Sequence, residues 1–198
     1  MLTLLSPIVI ALAIGGATIR SVDFRNFTFT WYPRWADTPR HGRKITLTNG
    51  EMNTGFNYGK EPRQFYLMDE DPISYGDLTA DGNDEAVVPL GIISSGTART
   101  GVVFVYTMSR GKPGRLFARE TGDRWDYGYH SATIRNGELI VETYKPVMII
   151  YRGQKHDMSS SNFYIREHYK WNGRRFRKTK TETVPVDAND RAPWGHRI

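Results

Sequence analysis

The chain has 198 residues and no cysteine, and its 27 Lys and Arg exceed its 21 Asp and Glu to give a net charge of +6 at pH 7. The lack of cysteine excludes a disulfide framework, a thiolate metal site and a cysteine nucleophile. The length fits one domain with a core that needs no covalent staples, and the basic balance indicates an anionic partner.

The chain begins with an almost unbroken apolar segment over residues 2–19. A length of about 18 residues lies between a signal-peptide core and a membrane-spanning helix of about 20 residues. Small residues from Ala13 to Ala17 offer a cleavage site, whereas the nearest cations, Arg20 and Arg25, follow the run. The segment predicts a cleaved signal or a retained hydrophobic helix, with the domain on the periplasmic or extracellular face. The positive-inside rule alone would favour the cytoplasm.

An aromatic stretch follows the apolar segment. Phe27-Thr-Phe-Thr alternates in the manner of a strand. Trp31, Tyr32 and Trp35 come shortly afterwards, and Trp and Tyr are the residues that commonly lie at a membrane interface. These three side chains are therefore expected either to form an interfacial belt beside the anchor or to pack in the core.

Three Asn-Gly dipeptides, each flanked by alternating β-type residues, give the strongest local signal for hairpins. They predict two-residue turns at Asn49-Gly50, Asn136-Gly137 and Asn172-Gly173. A fourth hairpin is expected to turn through residues 111–114. A further strand is expected from Glu85 to Ile93, where the sequence becomes continuously apolar.

These elements predict an all-β fold, an antiparallel sandwich or barrel-like domain of about nine or ten strands built from hairpins. The domain is expected to occupy residues 20–186, after the hydrophobic segment at 1–19 and before a loose tail at 187–198. Polar loops are expected at residues 52–62 and 152–161. The 13% aromatic content, with 19 Gly and 10 Pro, agrees with short strands and tight turns.

An Asp-rich segment comes just before the predicted strand at Glu85. Its spacing reproduces several positions of a calcium loop, in which a Gly turn lets alternating residues direct hard oxygens at one ion. Thr79 replaces the usual Asp or Asn at the third position, so an Asp-rich turn that accepts backbone N–H bonds is the alternative. The expected calcium ligands are Asp77, Thr79, Asp81, Asn83 and Glu85.

Four segments together resemble an uncharacterised family of exported bacterial β proteins: residues 24–28, the loop Gly76-Asp-Leu-Thr-Ala-Asp-Gly82, residues 120–124 and residues 169–174. The loop resembles those of FG-GAP or VCBS repeats. The likeness spans Asp23 to Pro185 and implies a β fold and export, without assigning an activity. Family members often have Cys-Cys-Pro where this chain has residues 158–162.

The residues that could carry catalysis are scattered. No Ser lies in a Gly-x-Ser-x-Gly elbow, and no two of the five His have metal-ligand spacing. His130 is close in sequence to Asp123 and Asp126, but a lone His is more often structural. The acidic run at residues 69–71 is expected to be a solvated loop rather than a glycosidase pair.

In the last hairpin, a two-residue turn at Asn172-Gly173 would set Trp171 opposite Arg174. Alternation would then produce a basic stripe on one face. Such a stripe is tolerated as a solvated edge, or it docks an acidic protein surface or anionic lipid headgroups. Nucleic acid is not an expected partner of an exported protein. The predicted partner-binding residues are Arg166, His168, Lys170, Arg175 and Arg177.

The sequence therefore predicts a non-enzymatic binding or structural protein outside the cytoplasm, tethered to the membrane through residues 2–19 if these are uncleaved, and an accessory subunit of a membrane complex. No cofactor other than calcium is expected. The alternative is a secreted carbohydrate-active or other hydrolytic enzyme, which would need two carboxylates about 5 to 10 Å apart in an aromatic-lined cleft.

Overall fold

The computed structural model describes residues 17–32, 42–53, 64–67, 71–93, 99–122, 128–144, 147–151, 154–158 and 163–185, with backbone alone for 147–151 and 154–158. Most of the predicted hydrophobic helix and the predicted tail lie outside these residues. Within them, no helix combines the length and the apolar character needed to cross a membrane. Ile19, at the end of the apolar segment, is buried in the core of the β domain.

The prediction of an all-β fold is confirmed. Two short 3₁₀ helices, Ile19–Ser21 and Phe24–Asn26, are the only helical elements of the described residues. The strands are β1 (Thr28–Trp31), β2 (Arg43–Thr46), β3 (Glu51–Asn53), β4 (Gln64–Leu67), β5 (Ser74–Gly76), β6 (Glu85–Ile93), β7 (Arg99–Ser109), β8 (Lys112–Glu120), β9 (Tyr129–Arg135), β10 (Glu138–Tyr144), β11 (Val147–Tyr151), β12 (Gln154–Met158), β13 (Phe163–Trp171) and β14 (Phe176–Pro185).

The described residues contain fourteen strands instead of the predicted nine or ten. The additional strands include β5, which has three residues and is too short to show a clear hydrophobic period. Strand β12 falls inside residues 152–161, where a polar loop was expected, so the prediction of a loop along that whole segment is wrong.

Within the described ranges, all strand pairs are antiparallel and form four sheets. A six-stranded sheet has the order β3-β4-β6-β7-β8, with β5 also pairing with β6. A four-stranded sheet has the order β14-β13-β10-β9, and β1-β2 and β11-β12 are separate two-stranded ribbons. The last β hairpin is therefore at one edge of the four-stranded sheet, with β14 as the edge strand.

Strands β6 and β7 are buried on both faces, because the six-stranded sheet is the middle of three layers. Val88 and Phe104 pack on the side of the β1-β2 ribbon. Val87 and Val105 pack on the opposite side, against Leu139 of the four-stranded sheet. This arrangement explains why residues 85–93 form a continuous apolar run instead of an alternating one. Full burial of one such aliphatic side chain contributes roughly 1.5–3 kcal/mol.

Two of the predicted Asn-Gly turns are confirmed. Asn136 and Gly137, with φ of 51° and 71°, connect Arg135 directly to Glu138. Asn49 and Gly50 likewise have positive φ, and a bridge joins the residues on either side of them. Two successive positive φ angles match the twist of a hairpin and favour Asn-Gly. The fourth hairpin turns at residues 110–111, which is earlier than predicted.

The last hairpin has a different turn from the predicted one. Trp171 pairs with Phe176, so the turn contains the four residues from Asn172 to Arg175. The Asn172 side-chain oxygen accepts hydrogen bonds from the backbone N–H groups of Arg174 (3.1 Å) and Arg175 (3.0 Å), which stabilise this wider turn. The predicted register with Trp171 opposite Arg174 is wrong, and Arg175 lies in the turn instead of on a strand.

Candidate functional site

The outer face of the four-stranded sheet carries a row of five charged side chains, which we name the charge ladder. It runs from Lys170 through Glu138, His168 and Glu182 to Lys180. The Lys170 Nζ lies 2.9 Å from Glu138 Oε1, and the His168 Nδ1 lies 2.8 Å from Glu138 Oε2. On the other side, Glu182 Oε1 lies 2.9 Å from His168 Nε2, and its Oε2 lies 2.6 Å from Lys180 Nζ. The predicted basic stripe thus contains carboxylates that neutralise much of its charge.

The charge ladder shifts the protonation equilibria of its members. Hydrogen bonds to Glu138 and then to Glu182 raise the pKa of His168. The ammonium group of Lys180, followed by His168, lowers the pKa of Glu182 to about 2. The pKa of Glu138 is also lowered, chiefly by Lys170 and then by His168. Each charged group in the row therefore stabilises the ionised form of the oppositely charged group beside it.

A second polar cluster continues on the same face, where Glu142 is buried. Arg166, one of the predicted partner-binding residues, donates its Nε–H to Glu142 Oε1 at 2.6 Å, and the Ser131 hydroxyl donates to Oε2 at 2.7 Å. The ring of His130 stacks on that of Tyr164, with centroids 3.8 Å apart and an interplanar angle of 9°. Arg166 is consequently held within the fold by a buried carboxylate.

Asp71 lies beside this cluster, at the free edge of β9. Its Oδ2 accepts hydrogen bonds from the backbone N–H of Ala132 at 2.9 Å and from the Tyr129 hydroxyl. Burial raises the pKa of Asp71 to about 6, opposed by the bond from Ala132 and reinforced by the negative charge of Glu142. The expectation of a solvated loop is wrong for Asp71. Asp69, Glu70, Asp123 and Asp126 lie outside the described residues.

The Asp-rich segment turns its carboxylates onto its own backbone. Asp77 accepts from the N–H groups of Asp81 (3.3 Å) and Gly82 (2.9 Å). Asp81 accepts from the Asn83 N–H at 2.8 Å, and Glu85 accepts from the Thr79 N–H at 3.0 Å. These contacts are those of the Asp-rich turn that was the alternative to a calcium loop.

In the part of the chain that the structure describes, no three His, Cys, Asp or Glu side chains come together as a metal-binding group. The five residues expected to bind calcium lie in one loop, and the side-chain oxygens of four of them, Asp77, Thr79, Asp81 and Glu85, form hydrogen bonds within that loop. Calcium binding by this segment stays a prediction.

The arginines at the end of the last hairpin differ from the other basic side chains of the sheet. Arg174, Arg175 and Arg177 are exposed, and they form no ion pair with the described residues. We name these three residues the arginine tip. By contrast, Lys178 is bound to Glu167 on the core side of the sheet, at 3.0 Å. Of the five predicted partner-binding residues, only Arg175 and Arg177 therefore belong to the group that has no carboxylate partner.

The arginine tip lies at the same end of the four-stranded sheet as the Asp-rich loop. The pairing of Leu139 with Tyr169 brings the β9–β10 turn and the β13–β14 turn to the same end of the sheet. At that end, a Cβ on Gly137 would lie 3.7 Å from the backbone carbonyl oxygen of Asp77. The tip and the Asp-rich loop thus present opposite charges at one end of the molecule.

The three aromatic side chains predicted for a membrane interface have different positions. Trp31 is only 2% exposed, and its Nε1–H donates to Glu120 Oε1 at 2.7 Å. Core packing is therefore the role of Trp31, and an interfacial role for it is wrong. Tyr32 is 46% exposed, with the Arg115 guanidinium carbon 5.1 Å from its ring centroid. Trp35 lies outside the described residues.

Comparison of this chain with protein-family models, with curated proteins and with solved structures finds no match. The resemblance to exported bacterial β proteins and to FG-GAP or VCBS loops stays a prediction.

Proposed function

We propose that this chain is a non-enzymatic binding protein of the cell envelope, tethered to the membrane as an accessory subunit of a larger complex. Its arginine tip docks an acidic surface of a partner protein. The observation that supports this proposal is the contrast within one hairpin: Lys170, Lys178 and Lys180 each have a carboxylate within 3.0 Å. The three tip arginines have none among the described residues.

The charge pattern around the tip favours a protein partner over a membrane surface. A bilayer of anionic lipids presents one sign of charge over a wide area, and it would repel Asp77 and Asp81 while it attracts the arginines. A protein surface can match both signs, which gives specificity as well as attraction. The charge ladder holds β13 and β14 together beneath the tip, so less ordering is required when the partner binds.

The triple variant R174Q/R175Q/R177Q tests this proposal in the full-length chain. We expect its affinity for a polyglutamate peptide to fall about tenfold or more and to lose most of its salt dependence, because the steering charges are removed. The melting temperature should change little, since exposed side chains that lack ion pairs contribute little to stability.

The matched control is R43Q/R110Q/K112Q, which removes the same number of positive charges from exposed positions of the β1-β2 and β7-β8 hairpins. If both triple variants lose the same affinity for polyglutamate, the effect comes from net charge alone, and specific binding by the arginine tip is refuted. Vesicles with and without anionic phosphatidylglycerol form the second arm. Loss of the preference for anionic vesicles, with polyglutamate binding unchanged, would assign the tip to lipid headgroups instead.

We propose a carboxylate-dependent hydrolase as the second candidate, because Asp71 and Glu142 lie near each other in different ionic environments. Both hydrogen bonds to Asp71 end on Oδ2, so Oδ1 is the oxygen that can carry a proton, while Arg166 holds Glu142 as its counter-ion. An acid and an ionised carboxylate are the pair that glycoside hydrolysis requires.

Hydrolysis of a panel of nitrophenyl glycosides tests this second candidate. If the chain is such an enzyme, activity should fall as pH rises through the pKa of Asp71, about 6, because the acid loses its proton. D71N should lose at least a hundredfold in kcat, in the usual range for a general acid, whereas D81N in the exposed loop should not. Absence of turnover by the wild-type chain on the whole panel would reject this candidate.

A further inference from the structure

His168 lies between carboxylates that belong to the strands on either side of it. Its Nδ1 is 2.8 Å from Glu138 Oε2 on β10, and its Nε2 is 2.9 Å from Glu182 Oε1 on β14. One imidazole ring on β13 thus connects three strands on the outer face of the sheet. The edge strand β14 has no partner strand on its other side among the described residues.

The protonated form of the ring is the one that suits this geometry. A neutral imidazole has one N–H donor, and its other nitrogen is an acceptor. That acceptor would face a carboxylate oxygen at less than 3 Å, which is repulsive. The imidazolium ion donates from both nitrogens and satisfies both carboxylates with charge-assisted hydrogen bonds.

Three further cations approach the two carboxylates that face the ring. Lys170 approaches Glu138 and Lys180 approaches Glu182, each on the oxygen that His168 does not use. Arg166 Nη1 is 4.0 Å from Glu182 Oε1. These cations weaken the attraction of the carboxylates for the imidazolium ion, yet the two direct hydrogen bonds outweigh them, as the raised pKa of His168 indicates.

We propose that His168 is a proton-operated clasp that holds the edge strand β14 against β13 and β10, and that β14 loosens when the ring loses its proton. The clasp goes beyond the proposed docking role. Its consequence for docking, which rests on that proposed function, is that the arginine tip is held in a fixed position only while the clasp is closed.

The sign of the pH dependence follows from the raised pKa. The stabilisation by His168 is fully present below the pKa of an ordinary His, about 6.5, and it is lost as pH rises through the folded-state pKa of His168. At the acidic end, the lowered pKa values of Glu138 and Glu182 keep both acceptors ionised. The clasp is therefore closed in mildly acid solution and opens towards alkaline pH.

The test is an NMR titration of the full-length chain without any partner. We expect both ring nitrogens of His168 to carry protons at pH 6 and the pKa of His168 to fall in E182Q, because an amide replaces one of the two charged acceptors. Lys178 lies on β14, as Glu182 does, but on the opposite face of the sheet. The control variant K178Q should therefore leave the titration of His168 unchanged. Titration at or below the ordinary pKa of His would overturn the clasp.

Hydrogen exchange of the β14 amides provides the second readout, with β10 amides as an internal reference that cancels the intrinsic effect of pH. The exchange rate of β14 amides relative to β10 amides should increase roughly 3- to 10-fold as His168 deprotonates. This is the size of effect expected from the loss of one partly exposed charge-assisted hydrogen bond. H168Q should abolish that pH dependence. A constant β14 to β10 ratio at all pH values would refute the clasp, and docking by the tip would be judged separately from its own variants.

Discussion

Replacing Glu167 by Ala is expected to lower the free energy of unfolding by about 3 to 5 kcal/mol, the cost of breaking a buried ion pair. Glu167 is 6% exposed and lies on the core side of β13. Its Oε2 is 2.7 Å from Arg119 Nη2, which belongs to β8 in the other sheet, and it also accepts from the Tyr169 hydroxyl at 2.7 Å. One carboxylate therefore connects the two main layers.

The size of this effect comes from the groups that the variant would leave behind. Burial by itself raises the pKa of Glu167, but hydrogen bonds from Tyr169 and Lys178 and the charge of Arg119 outweigh it, so the pKa is lowered. Arg119 Nη1 is buried and has no hydrogen-bond partner among the described residues, so loss of Glu167 would leave the whole guanidinium group without an acceptor from that part of the chain.

Urea denaturation of E167A, E167Q and wild type measures this prediction. E167Q keeps one acceptor oxygen without the charge, and its stability should lie between those of wild type and E167A. Because the folded-state pKa is lowered, the contribution of Glu167 is present above the unfolded value of about 4.3 and is lost as pH falls through the folded one. A loss below about 1 kcal/mol, the value of an exposed pair, would contradict a buried connection between the sheets.

Most of the longer strands and two of the three Asn-Gly turns could be predicted from the sequence because their causes are local. The continuous apolar run at residues 85–93 matches a strand buried on both faces, and β6 has those bounds. Asn136-Gly137 supplies the two positive φ angles that a two-residue hairpin needs. No local signal in the sequence indicates that β1 and β2 cover the second face of the middle sheet, because that layering depends on contacts between distant segments.

The candidate site was predicted poorly because its register depends on the length of one turn and on one β-bulge. The same Asn-Gly pair that makes a two-residue turn at 136 is part of a four-residue turn at 172, where the Asn side chain bonds the backbone. The wider turn and a further register shift between His168 and Tyr169 together pair Arg166 with Glu182, instead of leaving Arg166 in a basic stripe. Glu138 and Asp71 joined the site through sheet pairing and packing, for which residue spacing gives no signal.

Replacing Glu85 by Leu is expected to destabilise the fold by about 2 to 4 kcal/mol, because two backbone N–H groups would lose their acceptor at similar side-chain volume. Glu85 is fully buried at the start of β6. Its Oε2 accepts from the N–H groups of Leu78 (2.8 Å) and Thr79 (3.0 Å). The carboxylate thus fixes the start of the Asp-rich loop against the middle sheet.

The variant E85Q separates the shape of this side chain from its charge. Burial, the largest influence, raises the pKa of Glu85, against the bonds from Leu78, Thr107 and Thr79. The part of the stability that depends on protonation of Glu85 is therefore fully present below the unfolded pKa of about 4.3 and is lost as pH rises through the folded-state pKa. Gln retains one acceptor oxygen without the charge, so E85Q should cost less than E85L at neutral pH.

Thermal denaturation with millimolar calcium or with a chelator completes this test and decides between the two interpretations of the loop. If Glu85 serves the backbone, the melting temperatures of wild type and E85Q should differ by the same amount in both solutions. A calcium-dependent rise in the wild type that E85Q and D77N both lose would assign the loop to calcium instead, because a ligand that binds only the folded state raises its stability. Asp77 would then have to exchange its hydrogen bonds from the backbone N–H groups of Asp81 and Gly82 for the ion.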